Sequence, residues 1–209
     1  VILGVVLTGV VRMFSNTGHY HSAQEMMVSL TQDLRAVKQL MVQELREAAC
    51  DPNNKGTFGF QVDSDDRYDT DDNSIHFTRD IDNGDNDGFL EPDGDADDPN
   101  EDISYYRTND DCSGGAGAVL ASGNTTAGCL RRNTGGGGQP VLPGVSQFEL
   151  HYYDQDGNEL TGANLATLGK LEKIDTVRVV LEAQVEEPTK VSANAQKQKL
   201  DFRVLIRNG

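Results

Sequence analysis

Chemistry-bearing side chains are concentrated between residues 80 and 102, where Asp, Asn and Glu alternate with Gly. Asn83, Asp85 and Asp87 fall at alternate positions, followed by Gly88, by Phe89 at the seventh position and by Glu91 at the ninth. Oxygen ligands so spaced converge on one hard cation, and the glycine permits the turn that brings later ligands round, as in the first half of an EF-hand loop. The seventh residue of such a loop offers its backbone carbonyl. The twelfth position holds Gly94 in place of the bidentate Glu, and a second partial frame, Asp93, Asp95 and Asp97, stands where a closing ligand is needed. Two readings follow: a structural calcium site on Asn83, Asp85, Asp87, Phe89, Glu91, Asp93 and Asp95, or a solvated acidic loop without an ion. Charge density favours calcium, because carboxylates this close repel one another unless neutralised. Such an ion would order a loop and would not imply catalysis.

The charge balance narrows the partners. The 209-residue chain has 34 Asp and Glu against 18 Lys and Arg, a net charge of −16, and residues 51–111 alone hold 20 acids and 4 bases. The remainder is balanced, and an acidic chain of this kind repels phosphate backbones, so no nucleic-acid partner is expected. Cys112 and Cys129 flank a loop rich in Ser, Gly, Ala and Thr, with no Cys-x-x-Cys pair and no adjacent His. A zinc site is therefore not expected. A disulfide closing that loop, which requires an oxidising compartment, is the expectation, against two separate thiols. Cys50 reads as an inert thiol.

No catalytic pattern emerges from the remaining reactive residues, and the chain is not expected to be an enzyme. The nucleophile-elbow, zinc-protease, Walker and dinucleotide fingerprints are absent from the sequence. His19 and His21 are two residues apart and face different sides of a helix, which rules against a metal pair. His76 and His151 lie in expected strands and read as surface or packing residues. The run Gly135 to Gly138 lacks the Lys-Ser/Thr of a phosphate loop and reads as a flexible linker.

The elements that must position these residues begin with a helix. Val1 to Val11 carries no charge, with Val1, Ile2, Leu3, Val5, Val6, Leu7, Val10 and Val11 as its large apolar positions, and Arg12 follows at once. A spanning helix needs about 20 apolar residues, so roughly ten more are expected to precede Val1 in the whole protein. The helical pattern runs on: Ala23, Met26, Met27, Leu30, Leu34, Val37, Leu40, Met41, Leu45 and Ala48 recur every three or four residues, with Glu25, Asp33, Arg35, Lys38, Glu44 and Glu47 off that stripe. The spacing predicts one helix of about 45 residues, ended by Asp51 and Pro52. Residues 1–22 suit lipid or a bundle of copies, and residues 23–50 suit the face of a domain.

From residue 57 onward short β-branched and aromatic runs alternate with Gly, Asn and Asp, the pattern of antiparallel strands. Expected strands are Thr57 to Val62, Ser74 to Arg79, Ile103 to Arg107, Val145 to Tyr153, Ile174 to Val185 and Lys199 to Arg207. Val177, Val179 and Leu181 should face one way, and Thr176, Arg178 and Val180 the other. Asp154 to Asn158 reads as a tight turn, and Leu160 to Leu171 as a short helix or a loop. The fold class is α+β: a long N-terminal helix on an antiparallel sheet, with residues 51–209 forming a globular domain that carries an acidic loop at 80–102 and a Cys loop at 112–129.

This order resembles the type IV pilin superfamily, nearest to the W-type minor pilins and the J-type minor pseudopilins of type II secretion. The likeness is carried by Val1-Ile-Leu-Gly-Val-Val-Leu, Ser74-Ile-His-Phe-Thr-Arg-Asp with the Asn-Gly-Asp run after it, Glu101-Asp-Ile-Ser-Tyr-Tyr, Gln147-Phe-Glu-Leu-His-Tyr-Tyr-Asp-Gln-Asp-Gly, Val177-Arg-Val-Val-Leu and Arg207-Asn208. It covers nearly the whole chain. The superfamily's peptidase cleavage site and the acidic residue after it are not among these residues. The resemblance implies a structural subunit of a type IV pilus or a type II secretion pseudopilus. Such a subunit would leave the inner membrane and periplasm to assemble, with copies of itself and other pilins or pseudopilins, into a filament with helices inside and sheets outside. The competing reading is a calcium-dependent binding module or adhesin tethered to the membrane by its helix, which requires an exposed aromatic groove made by Tyr105, Tyr106, Tyr152 and Tyr153.

Overall fold

The computed structural model describes residues 2–55, 58–63, 65–82, 91–161, 165, 168–185 and 196–206, with helix side chains described at His21 and from Gln24 onward. One helix, α1, runs unbroken over Ile2–Glu47. Leu30, Leu34, Val37, Met41, Leu45 and Ala48 are buried in the core, the three-and-four spacing expected of its inner face. Each large aliphatic side chain buried there stabilises the domain by about 2 kcal/mol. His21, Gln24, Glu25 and Val28 are exposed, Met27 is half-buried against the core, and among the described side chains of α1 full burial begins at Leu30.

The helix ends before the expected Asp51-Pro52 stop. Ala49 adopts a left-handed φ of 63°. Its N–H donates to the Thr78 carbonyl at 3.1 Å, while the Cys50 N–H returns to the Glu47 carbonyl at 3.0 Å. Tertiary docking of the helix end onto the sheet therefore stops the helix, at a conformation that glycine adopts more cheaply than alanine. Glu44 also departs from expectation. It was assigned to the polar side, yet it is buried, three residues from Met41 on the same face.

The sheet contains β1 (Gly59–Phe60), β2 (Ser74–Thr78), β3 (Asp102–Thr108), β4 (Gly128–Asn133), β5 (Gln139–Tyr153), β6 (Glu159–Leu160), β7 (Thr176–Val185) and β8 (Gln196–Leu205). The order is β1-β2-β3-β4-β5-β7-β8, with β6 paired to β5, and every pairing is antiparallel. Helix α1 lies against β5, β7 and β8. Val177, Val179, Leu181 and Ala183 face this core, as the alternation in β7 requires. A four-residue helix, α2 (Leu168–Leu171), precedes β7.

The expected strands are present with shifted ends, and Thr57 and Arg207 lie outside the described residues. β5 begins at Gln139, six residues before Val145, and is bulged between Val145 and Gln147. The chain needs Gly144 there: its φ is 70°, and a Cβ would stand 2.4 Å from the Gln184 carbonyl oxygen. β4 was not expected at all, because Gly128-Cys-Leu-Arg-Arg-Asn reads as polar. Its two arginines point to opposite faces of the strand, and each meets a carboxylate. The glycines 135–138 are the β4–β5 connection and not a linker. Asn133 Oδ1 accepts the N–H groups of Gly135 and Gly137, both at 3.0 Å.

Candidate metal centre and the other buried charges

The β2–β3 connection holds the expected ligands only in part. Asn83, Asp85, Asp87 and Phe89 lie outside the described residues, while Glu91, Asp93 and Asp95 are exposed. Asp93, Asp95 and Asp98 each bring a carboxylate oxygen to within 4.8 Å of the others. The loop curls because the Asp95 N–H donates to Asp93 Oδ1 at 3.1 Å and the Asp97 N–H to Asp95 Oδ1 at 3.3 Å. A side-chain hydrogen bond to Asp95, and then the charges of Asp95, Asp98 and Asp93, push the Asp97 carboxyl up.

Two acids that the contiguous spacing did not single out form the root of this loop. Asp80 follows β2 and donates its N–H to the Cys50 carbonyl at 3.0 Å; Glu101 precedes β3, and its carbonyl accepts the Arg79 N–H at 2.9 Å. Both residues are fully buried. Glu101 Oε1 accepts the N–H groups of Ile81 and Asp82 at 2.7 and 2.9 Å. Asp80 Oδ2 accepts from Asn53 Nδ2 at 3.4 Å, and the same amide donates to the Pro92 carbonyl at 2.9 Å, tying the acid to the loop.

Each carboxylate thus has one oxygen pinned and one left over. Asp80 Oδ1, Glu101 Oε2 and Asp98 Oδ2 are three of five buried side-chain polar atoms without a hydrogen-bond partner among the described residues. A buried acceptor left in this state costs about 1–3 kcal/mol, and more when charged. Burial, and then the charges of Asp98 and Asp80, push the Glu101 carboxyl up against the pull of its two backbone donors. Burial and the charges of Asp93, Asp95, Asp82 and Asp80 push Asp98 the same way. Of the nearby cations, Lys55 lies on the acidic loop itself, donating to the Asp93 carbonyl at 3.3 Å and acting by its charge on Asp95, and Arg79 is bound by Glu47 and by the Asn100 carbonyl.

The cysteine loop behaves differently. Cys112 and Cys129 are joined by a disulfide, with Cα atoms 5.2 Å apart, so their thiols offer no ligand to a metal. Asp110 beside them meets Arg131 Nη2 at 2.7 Å and accepts the N–H groups of Cys112 and Gly117, both at 2.9 Å. Burial raises its pKa, but Arg131, Thr108 and those backbone donors outweigh it and hold the carboxyl well below the usual range. The buried Arg107 caps the same loop, donating to the carbonyls of Asn124, Thr126, Val145 and Ser146. Under the helix, Glu44 bridges Arg132 at 2.5 Å and the Tyr105 hydroxyl. That pairing is why an acid tolerates the inner face of α1.

The remaining reactive residues are committed to packing. His76 has both ring nitrogens occupied, by the Tyr68 carbonyl and by Asp102 Oδ1, each at 2.7 Å, so neither is open to take a proton from a nucleophile. The half-exposed His151 pairs with Glu159 at 2.7 Å. Burial and the charges of Glu47 and Asp80 push the Cys50 thiol up, away from the thiolate a nucleophile needs. Tyr105, Tyr106 and Tyr152 are at most 1% exposed, so they do not form the open aromatic groove that the tethered-adhesin reading requires. Tyr153 is half-buried, with the Arg203 guanidinium 4.9 Å from its ring centre.

No family model and no curated protein matches the chain. Among solved structures it is similar to a type IV-like pilin from Thermus thermophilus, over 86% of this chain and 96% of that one, at 11% identity and a TM-score of 0.47.

Proposed function

We propose that the chain is a structural subunit of a helical filament of the type IV pilus or type II secretion pseudopilus class, polymerising through α1. The observation that carries this reading is the division of labour along one unbroken helix. Val1 to Val11 is uncharged, yet full burial among the described side chains begins at Leu30, about 28 Å further along the axis. Apolar residues so far from their own core require an outside partner, and copies of the same helix bundled at a filament axis supply one. The inner membrane would hold the same segment before assembly. None of the helices among the described residues is long and apolar enough to cross a membrane. The disulfide supports residence in the periplasm or outside the cell.

The tethered-adhesin reading is the weaker one, because three of its four tyrosines are in the core. Electron microscopy of filaments sheared from producing cells, with helical reconstruction at side-chain detail, tests the proposal. The expected result is a lattice of this chain, alone or with sister subunits, with residues 1–48 at the axis. Recovery of the protein only as a dispersed membrane species would overturn it.

A further inference from the structure

We propose that Asn124, in the loop closed by the Cys112–Cys129 disulfide, is an N-glycosylation site that takes its sugar from a lipid-linked glycosyl diphosphate through a membrane glycosyltransferase. Asn124-Thr125-Thr126 has the Asn-x-Ser/Thr pattern that such enzymes read, and no other asparagine in the sequence has Ser or Thr two residues after it. The site goes beyond the filament reading and does not depend on polymerisation.

The loop shows this tripeptide to solvent and holds its backbone from beneath. Asn124, Thr125 and Thr126 are all exposed. Buried Arg107 donates from Nη2 to the Asn124 carbonyl at 2.6 Å and from Nη1 to the Thr126 carbonyl at 2.8 Å, and the Asn124 N–H donates to the Ala121 carbonyl at 3.2 Å. The two side-chain groups that the enzyme reads stay open: Asn124 Nδ2 and the Thr126 hydroxyl make no hydrogen bond among the described residues. Asn124 Oδ1, by contrast, accepts the Thr126 N–H at 2.8 Å. A donor on that oxygen stabilises negative charge developing there as Nδ2 gives up a proton. In the transfer, Nδ2 attacks the anomeric carbon of the donor sugar, and the new C–N bond replaces the bond from that carbon to the diphosphate oxygen. The lipid diphosphate leaves with the electron pair, and one Nδ2 proton passes to a base of the transferase. The disulfide requires an oxidising compartment, so the loop reaches the side of the membrane on which exported chains receive sugars. A bulky hydrophilic group is tolerated there because the three side chains pack against nothing that it would displace.

The test is mass spectrometry of peptides from the full chain purified from its producing cells, with fragmentation that keeps the sugar on its residue. Expected is an Asn124 peptide heavier by whole sugar residues, with the increment on the asparagine. Asn124→Gln and Thr126→Val should lose that increment, and Thr126→Ser, which keeps the hydroxyl, should retain it. The wild-type peptide decides even where a variant is not recovered. The proposal is overturned by an unmodified Asn124 in the native protein, by full occupancy in Thr126→Val, or by a sugar on Ser122, Thr125 or Thr126 that survives in Asn124→Gln. Sugar on Asn124 of a protein found only dispersed in the membrane would sustain the site while overturning the filament reading, and a filament lattice of unmodified copies would do the reverse.

Discussion

Asp110, beside the disulfide, is met by an arginine and two backbone N–H groups, whereas Asp80 and Glu101, at the root of the β2–β3 connection, are met by an amide and by backbone N–H groups on one oxygen only. Both regions draw on the same acid-rich stretch of sequence, and both bury carboxylate oxygens. In the first, the compensating charge is built into β4 as Arg131, which is 2% exposed. In the second, one oxygen each of Asp80 and Glu101 accepts hydrogen bonds, and the other meets no donor among the described residues. One acidic composition can therefore produce a carboxylate neutralised by its own arginine or carboxylates left with a buried, unpartnered oxygen among the described residues, and the placement of the cations tells them apart.

The largest test of the self-sufficient corner removes its covalent closure. Changing both Cys112 and Cys129 to Ser opens a link of sequence separation 17, and denaturant unfolding should show a loss of about 3 kcal/mol. Next in size, Asp110→Asn leaves the guanidinium of Arg131 buried without its counter-charge, and the same measurement should show a loss of about 2 kcal/mol.

How these corners follow from sequence differs as sharply as their chemistry. The inner face of α1 was legible because helix periodicity repeats locally, and the Val177–Val179–Leu181 face of β7 because strand alternation does too. The pairing of Cys112 with Cys129 follows from reactivity and the loop between them. β4 was illegible because its arginines mimic a surface segment, when each is neutralised by an acid distant in sequence: Asp110 for Arg131 and Glu44 for Arg132. Glu44 was assigned outward for the mirror-image reason. At the acidic corner, ligand spacing points to residues 83–95, of which Asn83, Asp85, Asp87 and Phe89 lie outside the described residues, and a contiguous loop is the only geometry a spacing can express. Asp80 and Glu101 come together because β2 and β3 pair, Phe77 opposite Ile103 and Thr78 opposite Asp102, which returns the two loop ends to one place. An acid bordering an apolar strand at each end of an acid-rich loop is the signal that was available. The tyrosines show the reach of alternation: strand positions put Tyr105 and Tyr152 in the core, which removes the exposed groove that the adhesin reading needs.

The smallest effect is the most diagnostic, because its sign separates the two corners. Asp110 has a folded pKa below its ordinary value of 3.8, so its stabilisation is fully present above that pH and is lost as pH falls through the lowered value. Glu101 has a folded pKa above its ordinary 4.5, so without metal its contribution is most favourable at low pH and is lost as pH rises through the raised value. The metal-free protein should therefore gain stability from this group between neutral and mildly acid pH, before Asp110 protonates and stability falls. Asp71, Asp97 and Asp98 are raised as well and titrate in the same direction in wild type and variant, so the difference between the two curves reports Glu101 together with its coupling to Asp98. Glu101→Gln should raise the metal-free Tm at pH 7 and flatten the fall in stability between mildly acid and neutral pH. A Glu101→Gln variant less stable than wild type at pH 7 in EDTA would mean that the unpartnered oxygen carries no electrostatic cost, and the two corners would then differ in geometry alone.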